Sequence, residues 1–569
     1  MRFARQPAPR GRPAKAGSRS HDEEAATRGR LGPSDGVPWR WSGLLAAAML
    51  GCYLLLAPHV PGDKDASEFA LALATGGVLH PTGYPLYTIL GHVFVVLLHH
   101  AGVGFIFAAN AWAACGGGVA MLLFHRLALR LLPSRGDLSR LERFLLAALP
   151  VVVLGFNPVW MVECTVVEVH SWQMAWVCGT ALYFIGLVEA LETCGARRMR
   201  LPPRMVGWGL LCGLGGAHHS TAVFFAGGMT IAVCWALASA KRFRAWVPLV
   251  WLAAGIVPLL SWGYIAYKAF LPGTSEVWPT LEPNLRSVLA HVTAHAYRKY
   301  VGHWAPDDVQ AAWLRWYIYP YLWPGLALLA LQWWRARGAR RRVVTGLLLA
   351  AAAQVVFVYR YGVSDPDAYF LPCLAAALLA LAPSGADVVT RLRRIRFGVT
   401  FAAAGAVVAL ALFVAPCVSV MAGRRRALIG LDEYYHGMWR SIPYERAIVL
   451  WPVDGASRLR EYQVFRGEKP GFDVYNTTNL LNDAPRARFR RRYGFDPLAM
   501  TDRAHLSEPL KQDFVIGQQP SELDAHGYAL IHECIAERAG IPVVAFDPPR
   551  PPRTLSPNAA SPPPATPPR

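Results

Sequence analysis

Apolar runs close to the ~20 residues that cross a bilayer recur from Trp41 to Met421, separated by short polar stretches. Their spacing predicts spans at Trp41–Pro58, Ile106–Leu123, Phe144–Trp160, Met174–Leu191, Val206–Phe225, Gly227–Ala240, Val247–Tyr267, Trp316–Trp334, Val343–Tyr359, Phe370–Pro383 and Phe397–Met421, about 11 in all. One more apolar segment, Leu86–Leu98, is short and bracketed by Pro85 and His99–His100, which suits a helix lying along the interface. Beyond Met421 the pattern changes. Strand-like runs at Ala447–Trp451, Phe514–Gly517, Tyr528–His532 and Pro542–Phe546 alternate with helix-compatible polar segments. The fold class expected is therefore an all-α polytopic membrane protein over residues 41–421, followed by a small α/β domain over 422–547. Residues 1–40 are Arg/Pro/Gly-rich without an apolar core, and 548–569 are Pro-rich; both read as disordered tails.

Composition agrees with this and narrows it. The chain is 54% hydrophobic and 17% charged, where a soluble protein carries about a quarter charged residues. A net charge of +20 would fit a nucleic-acid binder, but its location does not. From Arg424 to Arg550 there are 18 Lys/Arg against 17 Asp/Glu, so the one sizeable polar region is almost neutral. The excess sits in the N-terminal tail and in short loops between apolar runs, where it orients helices. Nine Lys/Arg against four Asp/Glu precede the first span, which places the N-terminus in the cytoplasm. If Leu86–Leu98 does not cross, five basic loops also fall inside: Arg126–Arg143, Arg197–Arg204, Lys241–Arg244, Arg335–Arg342 and Arg391–Arg396. The first loop, Pro61–Pro85, and the C-terminal domain then lie outside. Arg424–Arg426, just after the last span, run against this orientation. The ten cysteines are scattered, mostly within apolar runs, and form neither a disulfide framework nor a CxxC metal site. An Ala/Arg-rich composition points to the plasma membrane of a bacterium.

Candidate chemistry gathers in the outer loops. Asp65 and Glu68 are spaced to share a helix face, and two carboxylates held together near apolar surface push one pKa upward, as a proton acceptor needs. His80-Pro81 and Tyr84-Pro85 forbid a continuous helix and force an extended turn. The plain alternative is that acids following a span are simply solvated. Glu168 stands beside a span end, where an acid without a purpose is costly. Asp365 and Asp367 offer oxygens to a divalent metal, although Asp-Pro-Asp is also an ordinary turn.

Asp65-x-x-Glu68-Phe69, followed by Val78-x-His80-Pro81-x-Gly83-Tyr84-Pro85-Leu86-Tyr87, resembles the signature of a bacterial family of multi-span proteins. Its eukaryotic relative is the transmembrane O-mannosyltransferase acting on plexin-type extracellular domains, and both resemble the GT-C glycosyltransferase superfamily. Val167-Glu168-Val169-His170 is similar to that family's second outer loop, with His170 where a tyrosine is usual. Gly213-Leu214 with His219-Ser220-Thr221, and Asp365 to Pro372, are similar to two later elements. The resemblance implies transfer of a sugar, mannose among the candidates, from a polyprenyl-phosphate lipid to a protein, glycan or lipid acceptor outside the cytoplasm. It implies Asp65 as the base, with Glu68 as its partner or substitute. His80, Tyr84, Glu168, His219 and Arg298 become candidates for holding phosphate or sugar. His219 has a bland reading as an interfacial histidine, and Arg298 as a contact to lipid headgroups.

A transporter or lipid flippase is the competing class. It would carry ionisable residues at mid-bilayer and repeat-related broken helices; Pro150 and Pro258 break spans but have no matching half. A scaffold presenting the C-terminal domain is a third reading, and the acids beside the His-Pro-x-Gly-Tyr-Pro turn argue against it.

Overall fold

The computed structural model describes residues 36–133, 138–193, 201–304, 306–362, 366–395, 397–442, 444–451, 453–494, 496, 529–535 and 542–547. Among these, eight helices are long and apolar enough to cross a membrane: Trp39–Leu56, Phe105–Leu131, His170–Glu192, Ala222–Ser239, Trp246–Phe270, Gly338–Val358, Leu371–Leu392 and Gly398–Ser441. A ninth is a broken one. Ser139 and Glu142 form a capping box that starts Arg140–Gly155, and the chain then breaks before Pro158. Asn157 caps the next helix, Pro158–Thr165, by accepting from Val159 N at 3.0 Å, and the two helices meet at 73°. The single span expected at Phe144–Trp160 is therefore two helices, because proline has no N–H to continue the ladder.

The other two expected spans are present as shorter or more polar helices. Leu201–His218 opens on Pro202, Pro203 and Arg204 and is rich in glycine, which lowers its hydropathy. Tyr319–Arg335 has 17 residues. Glycine serves packing here: a Cβ on Gly213 would come within 2.1 Å of Gly255 O, so Leu201–His218 and Trp246–Leu259 touch backbone to backbone. Pro85–His100 has 16 residues and leaves Leu90, Val93 and Leu97 exposed along one side.

Two buried side chains tie the outer loops to this bundle. Asn110, inside Phe105–Leu131, donates to Pro58 O at 2.9 Å and accepts from Val167 N at 2.8 Å. A buried amide that satisfies two loop backbones fixes both loops relative to the helix, since leaving those groups unpaired would cost about 1–3 kcal/mol each.

Gly398–Ser441 runs for 44 residues as one helix straight through the expected domain boundary at 421/422. It leads into a four-stranded sheet of β1 (Ala447–Trp451), β2 (Phe472–Asn476), β3 (Ala529–Ile535) and β4 (Pro542–Asp547), in the order β2-β1-β3-β4. β1 pairs parallel to β2 and β3, with Val449 opposite Val474 and Ile531, and β4 runs antiparallel to β3. Every β1 residue is buried, as expected of a central strand between parallel neighbours. Three of the expected strands recur, β1 with the expected bounds and β3 and β4 with shifted ends. β2 was hidden from the sequence by Asp473 and Asn476, and Phe514–Gly517 lies outside the described residues.

The helix Val453–Arg466 packs on Ala66–Thr75, and Glu461 is buried between them beside Ser67, Arg458, Asp432 and Arg466. Burial pushes its pKa up from 4.5 to about 8, against the pull of Arg458, Ser67 and Arg466, while Asp432 adds to the rise. The folded chain thus keeps a proton that the unfolded chain has lost, so stability falls as pH rises from about 4.5 to about 8. Glu461→Gln should raise the thermal midpoint of detergent-solubilised protein at pH 8, with the gain shrinking toward pH 4.5. A shift of the same size at both pH values would rule this out.

Candidate active site

The first loop builds the site. Lys64, at φ 53°, turns the chain into the helix Ala66–Thr75, with Asp65 at its N-terminal boundary and Glu68 in its first turn, where the helix dipole favours a carboxylate. The Asp65 carboxylate remains 47% exposed, while that of Glu68 is 16% exposed. The chain returns through Val78, which accepts from Trp278 N at 2.9 Å and donates to Glu276 O at 3.0 Å. His80 then meets both acids. Its main-chain N–H donates to Glu68 Oε1 at 2.6 Å, and its Nδ1 lies 3.2 Å from the same oxygen and 3.9 Å from Asp65 Oδ2. A carboxylate only accepts, so Nδ1 carries a proton and Nε2, 3.1 Å from Tyr84 OH, accepts from that phenol when the ring is neutral.

The prolines interrupt the helix as the sequence predicts, but the turn that follows is tight rather than extended. Gly83 N donates to His80 O at 2.7 Å, Gly83 sits at φ 82° and Tyr84 at φ 43°, and Pro85 starts the next helix. Tyr84 stacks on His219, ring centres 5.5 Å apart. Behind them runs a buried chain of polar groups. His170 Nδ1 donates to Gln173 Oε1 at 3.1 Å, and Gln173 Nε2 donates to Thr221 Oγ1 at 2.7 Å. Thr221 in turn donates to His219 Nδ1 at 2.7 Å. This chain ties the helix that begins at His170 to the turn at His219–Thr221, behind the Tyr84 ring.

The electrostatics fit a site that keeps its donors protonated. Burial, then the charges of Asp65 and Glu68, push the Tyr297 phenol well above its ordinary pKa of 10. Burial does the same to Tyr84, with Tyr297, Tyr361, Asp65 and Glu168 adding to it. His219 is held neutral by burial and by its neighbours His170, His218 and His80.

Asp65, Glu68, His80, Tyr84 and His219 thus lie together, with Glu168 close enough to act on Tyr84. Arg298 is exposed on the turn His295–Tyr300; its neighbour Tyr297 is the residue that faces the acids. Among the described residues two groups could hold a divalent ion, their ligand atoms within 4.8 Å of one another: Asp65, Glu68 and His80, and the buried Glu163, Glu168 and His170. Two carboxylates and an imidazole suit such an ion. Asp367 belongs to neither group, and Asp365 lies outside the described residues. The Tyr369 ring packs edge-on to His170 at 5.2 Å and to His219 at 5.8 Å, and sequence reasoning missed it together with Tyr297, Tyr361, Glu163 and the ligand character of His170. Tyr297 and Tyr369 stand in segments singled out for Arg298 and Asp367, but a ring in an apolar context carries no mark of its own.

Fold and site together define a polytopic helical membrane protein with a carboxylate–imidazole centre in the loop after its first long helix. Residues 65–243 match the family model described as the N-terminal domain of protein O-mannosyl-transferase TMEM260, which bears out the resemblance read from the first-loop motif. Similar solved structures include the Archaeoglobus fulgidus oligosaccharyltransferase AglB in complex with an inhibitory peptide and a dolichol-phosphate. That likeness has 13% identity and TM-score 0.45, over 89% of this chain and 74% of that one. Another is ArnT from Cupriavidus metallidurans bound to undecaprenyl phosphate, with 14% identity and TM-score 0.44 over 84% and 96%. The chain spans 64% of the length of the apo A. fulgidus oligosaccharyltransferase, at 13% identity and TM-score 0.42. No curated protein matches the chain.

A Cβ on Gly83 would lie 2.6 Å from Ile265 Cδ1 and 3.2 Å from His291 Nε2, in addition to the strain of φ 82°. Gly83→Ala should therefore cost about 1–3 kcal/mol and lower the thermal midpoint. Gly102→Ala, at φ 91° in open space, should cost only the backbone strain. Equal midpoints for the two variants would contradict this packing.

Proposed function

We propose that this protein is an inverting membrane glycosyltransferase of the GT-C type. It takes a sugar, mannose first among candidates, from a polyprenyl-phosphate donor and passes it to a hydroxyl outside the cytoplasm, such as Ser or Thr of an exported protein. One observation carries the reading: the half-exposed Asp65 carboxylate shares the His80 imidazole with the less exposed Glu68. The family match over residues 65–243, to a domain described as that of a protein O-mannosyl-transferase, supports it.

In this reading the acceptor O–H gives its proton to Asp65 as its oxygen bonds to the sugar's anomeric carbon from the face opposite the phosphate. The bond from that carbon to the phosphate oxygen breaks, and the lipid phosphate leaves with the electron pair. A phosphate is already a good leaving group, so no general acid is required. Preorganised donors serve the departing charge better; Tyr84 and Tyr297 are such donors, and His80 orients the Tyr84 hydroxyl through its Nε2. Glu68 holds His80 in place and leaves Asp65 open to the acceptor. Glu168 and His219 line the same region through Tyr84.

An outward-facing site has to use a lipid-linked sugar, because nucleotide sugars are made in the cytoplasm and are too polar to cross a bilayer. In this reading the N-terminus is cytoplasmic, and the Asp65 loop and the C-terminal domain face outward from a bacterial plasma membrane. Pro85–His100 lies along the interface there.

Reconstituted protein offered radiolabelled donors of both kinds should transfer sugar from the polyprenyl phosphate and not from the nucleotide. Asp65→Asn should lower turnover at least about a hundredfold, and Glu68→Gln less. Transfer from the nucleotide form without a lipid-linked intermediate, or near-normal turnover in Asp65→Asn, would overturn the assignment. For topology, Lys64→Cys and Leu481→Cys in a cysteine-free background should react with an impermeant thiol reagent in intact cells, and Arg140→Cys should be protected. The reverse pattern would invert the orientation.

A further inference from the structure

We propose that Arg458 of the C-terminal domain is a positioning residue for Asp65, holding the first loop in the geometry that transfer requires; this rests on the catalytic reading of Asp65 above. Arg458 is buried, its side chain 5% exposed. Its Nη2 donates to Gly62 O and lies 3.5 Å from Pro61 O, three and four residues ahead of Asp65. The guanidinium is itself fixed from behind. Nη1 lies 3.9 Å from Asp432 Oδ1, and the group sits over the Tyr435 ring at 5.5 Å. Tyr462 OH donates to Asp432 Oδ1 at 2.6 Å, which locks that carboxylate in turn.

The loop is also pressed from its other side. A Cβ on Gly62 would come 2.3 Å from Val166 Cγ1, so the backbone at Gly62 runs between the second outer loop and Arg458 with no slack. Neighbouring ion pairs act in the same sense. Arg424 of the long helix pairs with Asp63, and Arg460 reaches Glu276 at 2.7 Å. Glu276 O is the acceptor for Val78 N, two residues before His80. Both arms of the loop, the one carrying Asp65 and the one carrying His80, are therefore held by arginines from beyond residue 421. A guanidinium whose Nη2 meets consecutive carbonyls while its Nη1 faces Asp432 sets the position of the turn that follows, and a displacement of about 1 Å at a reacting group can cost about a hundredfold in rate. Lysine does not replace it, because an ammonium has no second nitrogen to face Asp432 while the first holds the carbonyls, and no planar group to lie over Tyr435.

Arg458→Lys keeps the charge and loses the fork. In the reconstituted transfer assay its kcat should fall at least tenfold, while KM for the polyprenyl-phosphate donor changes less than threefold. Arg492→Gln, which removes the ion pair with Asp473 in the same domain, should leave both unchanged. In a cysteine-free background, Lys64→Cys should react faster with a thiol reagent when Arg458→Lys is added, and Leu481→Cys should not. Arg424→Gln should act in the same direction, and it decides the question if Arg458→Lys fails to fold. Active wild-type protein with normal kcat and unchanged Lys64→Cys labelling in the variants would overturn the positioning role. Inactive wild-type protein would instead overturn the catalytic reading, and faster labelling would still support the mechanical one.

Discussion

The Glu68 carboxylate receives the His80 main-chain N–H at 2.6 Å and faces its ring at 3.2 Å, and the site depends on this contact. It joins the two arms of the first loop across twelve residues of sequence. A hydrogen bond to an ionised acceptor is shorter and roughly twice as strong as a neutral one, and partial burial spares it from competition with water. With His80 fixed, Tyr84 is fixed through its hydroxyl, and with Tyr84 the stacked His219 and the Thr221–Gln173–His170 chain behind it. Asp65 is the more exposed acid of the pair, which is the division of labour that the proposed transfer asks of a base and its support.

The bundle supplies the second constraint. Apolar surroundings cannot satisfy stray backbone groups, so irregular chain has to be held by specific polar side chains. Asn110 does this from within a long helix, binding Pro58 on the way into the first loop and Val167 in the second. The break at Asn157–Pro158 turns Pro158–Thr165 by 73° and brings Glu163 near Glu168 and His170. The C-terminal domain completes the enclosure from the other side through Arg424, Arg458 and Arg460, so the candidate site stands between two regions that the sequence presents as separate.

Much of the architecture could be read from residue order. Long apolar runs, the short segment before His99–His100, and the β1 run Ala447–Trp451 all correspond to elements of the structure. The turn at His80–Pro85 was also readable, because proline and glycine restrict the backbone locally whatever surrounds them. What could not be read were features that depend on partners: the bend before Pro158, the helix continuing past Met421, and β2 with its polar residues.

The sequence by itself determined that this is a multi-span helical protein with acids and histidines placed in loops, since hydrophobicity, proline and charge act over a few residues. Only the tertiary structure decided that Tyr297, 229 positions beyond Glu68, faces the acids and that Arg458 grips the backbone at Gly62. It also left Arg298 exposed one residue from that site. Contacts of this kind are set by how helices pack, and neighbouring residues on a chain point different ways once they do.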